Sequence, residues 1–265
     1  MDVEVSGGER DKTRPVVIIL HGLEGSSSRP YMRAMANHLN QSGFQTVAMN
    51  FRGCSGEPNR SRITYHAGKY DDLEQVIHWV IQTLHPPTLH LTGFSLGASI
   101  TLNFLIHSKL KRTIASAVAI SAPLQLGAIS DDLQHGIRTL YQYYFLRSLR
   151  NKNLQKICQF PDYPRFSGAT LREFDDQVTA SVHGFQSAEH YYETCSTGPK
   201  LKEISTPIRL IHALNDPICL LPTGTLETIN HGWVEWSVQR GGGHVAFMTL
   251  PGGWLGHEVA SFLKK

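Results

Sequence analysis

The chain has 265 residues, enough for one large α/β domain or two small ones, and its net charge of +3 without a long basic run argues against nucleic acid as a partner. Its four cysteines are widely spaced, with no C-x-x-C pair or zinc pattern, which favours a reducing compartment. The polar start is no signal peptide and no apolar run approaches ~20 residues, so we expect a cytoplasmic protein without stable membrane insertion.

The first half of the chain alternates between short apolar runs and helical patterns. Residues 1–14 are predicted to form an exposed or edge segment, and the β-branched run Val16–Leu20 is typical of a parallel strand buried on both faces. After it, we predict in chain order a small-residue loop at 21–28, a helix over Pro30–Asn40, a strand over Gln45–Asn50, a turn-rich loop at 51–60 and a helix over Asp71–Thr83.

The second half begins with the same alternation and then loses it. We predict a strand over Thr88–Thr92, a helix over Leu96–Ile106 and a strand over Ala115–Ser121. Residues 124–205 are polar and aromatic, and we interpret them as several short helices that form a lid over the sheet edge; the alternative is further core helices. Two strands, Ile208–Ala213 and Trp233–Val238, and a final helix, Gly256–Lys264, complete one domain over residues 1–265.

Between the strand that ends near Thr92 and the next helix lies the pentapeptide Gly93-Phe94-Ser95-Leu96-Gly97, a G-x-S-x-G motif. A serine on a tight strand-to-helix turn needs small neighbours two residues away, because strand and helix crowd there. This turn holds the hydroxyl clear of the backbone and aims the first helical amides at the group it attacks. We therefore predict that Ser95 is a nucleophile; the alternative is a glycine-bracketed serine that only caps a helix.

A nucleophilic serine needs a base, and the base needs an acid that orients its ring. In a parallel sheet these groups lie in loops beyond the carboxyl ends of the strands, and both Asp216 and His244 follow predicted strands. The chain order Ser, Asp, His is that of the α/β-hydrolases. We therefore predict a triad of Ser95, Asp216 and His244, although Asp216 could instead form an Asx turn and His244 could belong to an ordinary loop.

Two backbone amides are candidates for the oxyanion hole. Leu96 is the first residue after the serine, and Leu23 lies in the loop at 21–28, where the alternative is an ordinary βα turn. Other candidates fit less well: we expect His257 to point away from the strand edge and His21 to have a structural role. Gly241–Gly243 is not followed by a phosphate-binding pattern.

Several segments resemble those of one known family, the YheT-like α/β-hydrolases, over nearly the whole chain from about Pro15. They are HGLEGSS, NFRGCSGEPNR, the YHAG before Asp71, GFSLGAS, the REFDD of Arg172–Asp176 and GGHVAF. The resemblance implies carboxylesterases or lipases of short- to medium-chain acyl esters, with the triad on the three residues named above. The sequence departs from the family at Ala98, where glycine is usual, and in the strands before Val16, which are largely missing.

Taken together, these features predict an α/β-hydrolase fold, with a mostly parallel central sheet flanked by helices and a helical lid. The predicted activity is hydrolysis of short- to medium-chain acyl esters by a serine esterase that requires no metal or organic cofactor. Two alternatives stay open: an acyltransferase or ester synthase that uses the same triad, and a non-catalytic binding protein on a hydrolase fold. The sequence does not indicate an oligomeric state.

Overall fold

The protein is organised around one twisted sheet, seen in a computed structural model that describes residues 2–7, 12–221, 232–247 and 253–265. The strands described are β1 (Val3–Ser6), β2 (Val16–Leu20), β3 (Gln45–Met49), β4 (Leu89–Phe94), β5 (Ser116–Ile120), β6 (Ile208–Ala213) and β7 (Val234–Gln239). Their order across the sheet is β1-β3-β2-β4-β5-β6-β7. Of the described strands only β1 is antiparallel to its neighbour, at one edge of the sheet, which confirms the mostly parallel sheet and the edge segment.

Helices cover both faces of the sheet. Those described are α1 (Pro30–Gln41), α2 (Asp71–Leu84), α3 (Leu96–His107), α4 (Leu126–Asp132), α5 (Thr139–Gln159), α6 (Leu171–Phe174), α7 (Ser181–His183), α8 (Ala188–Cys195) and α9 (Trp254–Leu263). Short 3₁₀ helices span Lys109–Thr113, Gly136–Arg138 and Gly198–Glu203, and a π-helix spans Asp175–Ala180. The helices flanking the sheet begin and end within two residues of the predicted positions, which confirms the α/β pattern.

Alternate side chains of the central strands pack into two different cores. In β2, Val16, Ile18 and Leu20 join the core beneath α2 and α3, whereas Val17 and Ile19 join the core beneath α1 and α9. All five side chains are completely buried. A strand buried on both faces has apolar residues at every position, so its sequence is a continuous apolar run. This pattern explains why Val16–Leu20 could be identified as a strand from the sequence.

The chain between β5 and β6 forms α4 to α8. Helices α5 and α6 and the π-helix contribute to a third apolar core that includes Leu146, Phe174 and Ile218, whereas α8 packs on the core beneath α2 and α3. The prediction of several short helices was incomplete, because α5 has 21 residues. This helix was hard to recognise because large apolar side chains lie on its exposed face as well as on its buried face, so the apolar residues do not mark one side of a helix. That residues 124–205 act as a lid stays a prediction.

Two features of composition can be compared with the fold. All four cysteines are free, and three of them, Cys54, Cys195 and Cys219, are buried. Within the described ranges, none of the helices combines the length with the apolar composition that crossing a bilayer requires.

Candidate active site

Ser95 lies on the turn between β4 and α3 in a backbone conformation that side chains rarely adopt. Its φ of 52° and ψ of −118° fall outside the favoured regions for a residue with a Cβ. The turn is fixed on the strand side, where the Ser95 amide donates a 2.8 Å hydrogen bond to the carbonyl of Ile120 in β5. Such strain persists only where the surrounding structure enforces it, and here the surroundings are tightly packed backbone.

The two glycines of the pentapeptide allow this packing. A Cβ at Gly93 would lie 2.4 Å from the carbonyl oxygen of Gly97, and a Cβ at Gly97 would lie 2.5 Å from the carbonyl oxygens of Leu20 and His21. Real Cβ atoms essentially never approach other atoms within 3.0 Å. Ala98, where the sequence departs from the resembled family, is completely buried, so its small side chain fits this site.

The structure brings the three predicted triad side chains into one hydrogen-bonded chain. His244 Nε2 lies 2.8 Å from Ser95 Oγ, and His244 Nδ1 lies 2.8 Å and 3.0 Å from the two carboxylate oxygens of Asp216. The residues follow β4, β6 and β7, so all three lie at the carboxyl edge of the sheet, as expected for a parallel sheet. This arrangement allows proton transfer from the serine to the imidazole.

Asp216 combines the two roles that the sequence left open. Its Oδ1 accepts hydrogen bonds from the amides of Ile218, at 2.8 Å, and Cys219, at 2.9 Å, which is the pattern of an Asx turn. Burial opposes ionisation of Asp216, but the hydrogen bond from His244 and those two amides outweigh burial and hold the pKa of Asp216 below its ordinary value. The carboxylate is therefore a fixed anion beside the His244 ring.

The amide of Leu23, in the loop after β2, is free to bind an oxyanion. Gly22 donates its amide to Tyr31 Oη, Glu24 donates to Tyr65 Oη and Gly25 donates to the carbonyl of Gly22. Between Gly22 and Gly25, Leu23 is therefore the residue whose amide has no acceptor among the described residues. That this amide binds the oxyanion stays a prediction.

The second predicted oxyanion donor is the amide of Leu96. It begins α3, and the first amides of a helix have no carbonyl acceptor within their own helix. Like Leu23, Leu96 lines the cavity that contains Ser95. The roles of both amides stay predictions, since no acyl group is bound.

A buried network around Glu24 was missed by the sequence analysis. The Glu24 side chain is 2% exposed, and its carboxylate accepts hydrogen bonds from Tyr65 Oη and Ser148 Oγ. Lys152 Nζ completes the network at 2.9 Å from the carboxylate. Burial raises the pKa of Tyr65 well above its ordinary value, so this phenol stays a neutral donor. The network ties the loop that contains Leu23 to α5.

The sequence carried little signal of this network. An acidic residue in a loop is ordinary, and it is the burial of Glu24 that makes partners necessary. Those partners lie far along the chain, at Ser148 and Lys152, so spacing gives no sign of them. They could be identified only from the folded structure.

The remaining candidates have other partners. His21 is buried and its Nε2 accepts the amide of Phe51 at 3.1 Å; burial lowers the pKa of His21 to about 4, so it is neutral and structural, as expected. The ring of His257 packs against that of His38. The amide of Gly243 donates to Asn215 Oδ1 at 3.0 Å, within the loop that carries His244.

One group within the described residues has the spacing of metal ligands, namely Asp216, Cys219 and His244. Two of these already share a hydrogen bond through the carboxylate and Nδ1. Burial raises the pKa of the Cys219 thiol well above its ordinary value, which disfavours the thiolate that binds metals. The grouping is therefore explained by the triad contacts.

A cavity of about 390 Å³ opens beside Ser95. Apolar side chains from α4, α5, α6 and the π-helix line it, among them Leu126, Ile129, Leu133, Phe145, Leu149, Phe174 and Val178. Of the aromatic residues that the sequence placed between β5 and β6, Tyr163, Tyr191 and Tyr192 also line the cavity. Tyr141, Tyr143 and Tyr144 do not; they are exposed on α5.

Comparison with known sequences places these features among known hydrolases. A family described as alpha/beta hydrolase fold matches residues 15–251. The chain is 35% identical to "Putative esterase YheT" of Escherichia coli over 94% of its own length and 76% of that protein. It is 30% identical to "Phospholipase ABHD3" of Homo sapiens over 89% of its own length, and it spans only 59% of that protein.

Solved structures show the same fold. The esterase Pf2001 of Pyrococcus furiosus superposes with a TM-score of 0.63, covering 97% of this chain and 83% of that one at 19% identity. At this identity the likeness concerns the fold alone.

The packing around the turn predicts that any side chain at Gly97 destabilises the folded protein. Gly97→Ala should lower the free energy of unfolding by about 2 kcal/mol, because the added Cβ meets two backbone carbonyls that cannot move independently. Chemical denaturation measures the change. Gly232→Ala is the matched control, since a Cβ there meets no atom of the described residues within 4 Å. Equal stability of the two variants would contradict the packing described.

The Glu24 network predicts that its cation is needed for stability. Lys152→Met leaves a buried carboxylate without its cation and should lower the free energy of unfolding by about 3 kcal/mol. Lys265→Met is the control, because Lys265 pairs with Glu235 on the surface and such pairs contribute roughly 0–1 kcal/mol. If urea titrations gave both variants the same loss, the network would be no stronger than a surface pair.

Proposed function

The chain belongs to the alpha/beta hydrolase fold family, and on that premise we propose that it is a serine hydrolase of carboxylic esters. The observation that carries the proposal is the hydrogen-bonded chain from Asp216 through His244 to Ser95, at the carboxyl edge of the sheet and beside an apolar cavity. The esterase and phospholipase names of the two relatives support the same chemistry. A non-catalytic binding protein would have no need of this arrangement.

The first half of the proposed reaction is acylation of the serine. Ser95 Oγ attacks the ester carbonyl while His244 Nε2, at 2.8 Å, accepts the hydroxyl proton. The resulting imidazolium is stabilised by the Asp216 carboxylate on its other side. His244 then gives the proton to the alcohol oxygen as the ester bond breaks, which leaves the acyl group on Ser95.

The negative charge on the carbonyl oxygen is held by backbone amides. In this proposal the donors are the amides of Leu23 and Leu96, which come from two different elements and both line the cavity that contains Ser95. The hydrogen bonds and the salt bridge of Glu24 keep the loop that contains Leu23 in place. In the second half of the reaction, water gives a proton to His244 and attacks the acyl carbon. His244 then returns this proton to Ser95 Oγ as the bond between Oγ and the acyl carbon breaks, and the carboxylic acid leaves. No step requires a metal or organic cofactor.

The cavity supports short- to medium-chain acyl esters as substrates. Its volume of about 390 Å³ lies at the lower end of the roughly 300–1,000 Å³ typical of small-molecule sites. The apolar side chains from α4, α5 and α6 suit an acyl chain rather than a peptide. If an alcohol replaced water, the same reaction would transfer the acyl group to that alcohol. Measuring the rates of hydrolysis and alcoholysis in the presence of added alcohol identifies which acceptor the enzyme prefers.

Removal of the nucleophile tests the proposal. Ser95→Ala should fold normally and lose at least ~10³-fold in kcat on p-nitrophenyl butyrate, because the covalent route disappears. Ser99→Ala is the control, since this buried serine lies one helical turn further along α3 and its Oγ faces the carbonyl of Pro123. The assay follows p-nitrophenolate release. Esterase activity retained by Ser95→Ala would eliminate Ser95 as the nucleophile.

The cavity predicts how the rate depends on acyl chain length. Each methylene buried contributes about 0.8 kcal/mol, so kcat/KM should rise up to roughly fourfold per CH₂ until the cavity is full. A series of p-nitrophenyl esters from acetate to palmitate should therefore peak at short to medium chains. A rise that continued to palmitate would contradict this substrate class.

A substitution on α5 makes the same test specific to this cavity. Leu149→Trp fills the cavity and should move the optimum to shorter chains. Leu154→Trp is the control on the same helix, because Leu154 is 60% exposed and does not line the cavity. If both variants kept the original optimum, the acyl chain would bind elsewhere.

A further inference from the structure

Helix α5 has an inner face that belongs to the site already described. Phe145 and Leu149 line the cavity beside Ser95, and Leu146 is buried in the core formed between β5 and β6. Ser148 and Lys152 bind Glu24 of the oxyanion loop. These contacts hold the helix firmly and define which of its sides faces outward.

The outer face of α5 carries large apolar residues at helical spacing. Leu140, Tyr143, Arg147, Arg150 and Leu154 follow one another at intervals of three and four residues, so they form one stripe. Leu140 is 66% exposed, Tyr143 65% and Leu154 60%. The water-facing side of a helix is normally polar, so this face has the composition of a surface that meets a partner.

The same segment is strongly cationic. From Leu133 to Pro161 the sequence contains no Asp or Glu, and its cations are Arg138, Arg147, Arg150, Lys152 and Lys156. Lys152 forms a salt bridge with Glu24, and Lys156 is buried. Among the described residues the three arginines meet no carboxylate: Arg138 and Arg150 donate to carbonyl oxygens, and Arg147 has no described partner.

One further arginine reaches this surface from the other side of the site. Arg29, at the start of α1, is exposed and donates to Tyr144 Oη on α5 at 3.3 Å. Its guanidinium also donates to the carbonyl of Glu24 and meets no carboxylate among the residues described. The cationic surface therefore extends from α5 to the loop that contains Leu23.

We propose that the outer face of α5, defined by Leu140, Tyr143, Arg147, Arg150 and Leu154, docks on the surface of an anionic lipid bilayer. Tyrosine and leucine enter the interface with their apolar parts, while arginines pair with lipid phosphates. A protein partner would need acidic groups matched to each arginine, whereas a bilayer offers phosphates at any position. The helix lies in the plane of the surface and does not cross it.

The position of the helix links docking to the cavity. Its inner face lines the cavity while its outer face contacts lipid, so docking would bring the cavity beside Ser95 close to esters dispersed in the bilayer. This consequence for substrate delivery rests on the proposed function. The docking itself does not, because it depends only on the outer face.

Vesicle binding tests the docking without any catalysis. Ser95→Ala protein is mixed with vesicles of phosphatidylcholine alone or with one-third phosphatidylglycerol, and the bound fraction is measured by sedimentation. Binding is expected only with phosphatidylglycerol, and it should weaken as salt is raised, since the arginine–phosphate attraction is screened. Absence of binding to the phosphatidylglycerol vesicles would overturn the proposal.

Variants locate the contact on α5. Leu140→Glu/Tyr143→Glu should reduce the partition coefficient at least about tenfold, because two apolar anchors become anions at an anionic surface. Trp79→Glu/Ile81→Glu on α2 is the matched control, as each of these side chains is 37% exposed, and it should bind normally. Equal losses in the two double variants would overturn the assignment to α5. Arg147→Gln is a milder third variant and should reduce the salt dependence.

Kinetics and solution mass complete the design. In a background that keeps Ser95, the α5 double variant should hydrolyse a soluble p-nitrophenyl ester at the normal rate, which verifies its fold, and an ester dispersed in anionic vesicles more slowly. If the wild-type protein bound anionic vesicles but showed no esterase activity, the docking proposal would be supported and only the proposed function would be contradicted. A concentration-dependent dimer abolished by Leu140→Glu/Tyr143→Glu would show that a second copy covers this face, against the proposal.

Discussion

The left-handed backbone of Ser95 is the constraint on which the site depends. It requires β4 and α3 to meet so closely that Gly93 and Gly97 have no room for a side chain. Close contact with β2 on one side and the hydrogen bond to Ile120 on the other hold the turn within the middle of the sheet. Because the sheet fixes the turn, the loops after β2, β6 and β7 meet Ser95 at defined distances.

A second interaction links this rigid edge to the helices between β5 and β6. Glu24 lies in the loop that offers the Leu23 amide, and its carboxylate is bound by Ser148 and Lys152 of α5. The loop and the helix therefore form one unit around a buried charge. Helix α5 thus contacts the loop that contains Leu23, lines the cavity and presents an exposed face, all from one rigid element.

Much of the fold could be predicted from the sequence because its strands are buried on both faces. Such strands read as apolar runs, and β2 and β6 were predicted with their observed ends. Ser95, Asp216 and His244 could be selected because each follows a strand in a recognisable order, and the structure brings them together. The Glu24 partners and the outward tyrosines of α5 could not be predicted, since they depend on which face of a helix turns inward.

The most direct test of the account is covalent labelling with a fluorophosphonate, which reacts with serines activated by a neighbouring base. The intact mass should increase by one adduct, and peptide mapping should place that adduct on Ser95. In His244→Gln, whose side chain cannot accept the serine proton, labelling should be slowed by orders of magnitude. A wild-type protein that stayed unlabelled, or that carried its adduct on another serine, would contradict the catalytic assignment of Ser95.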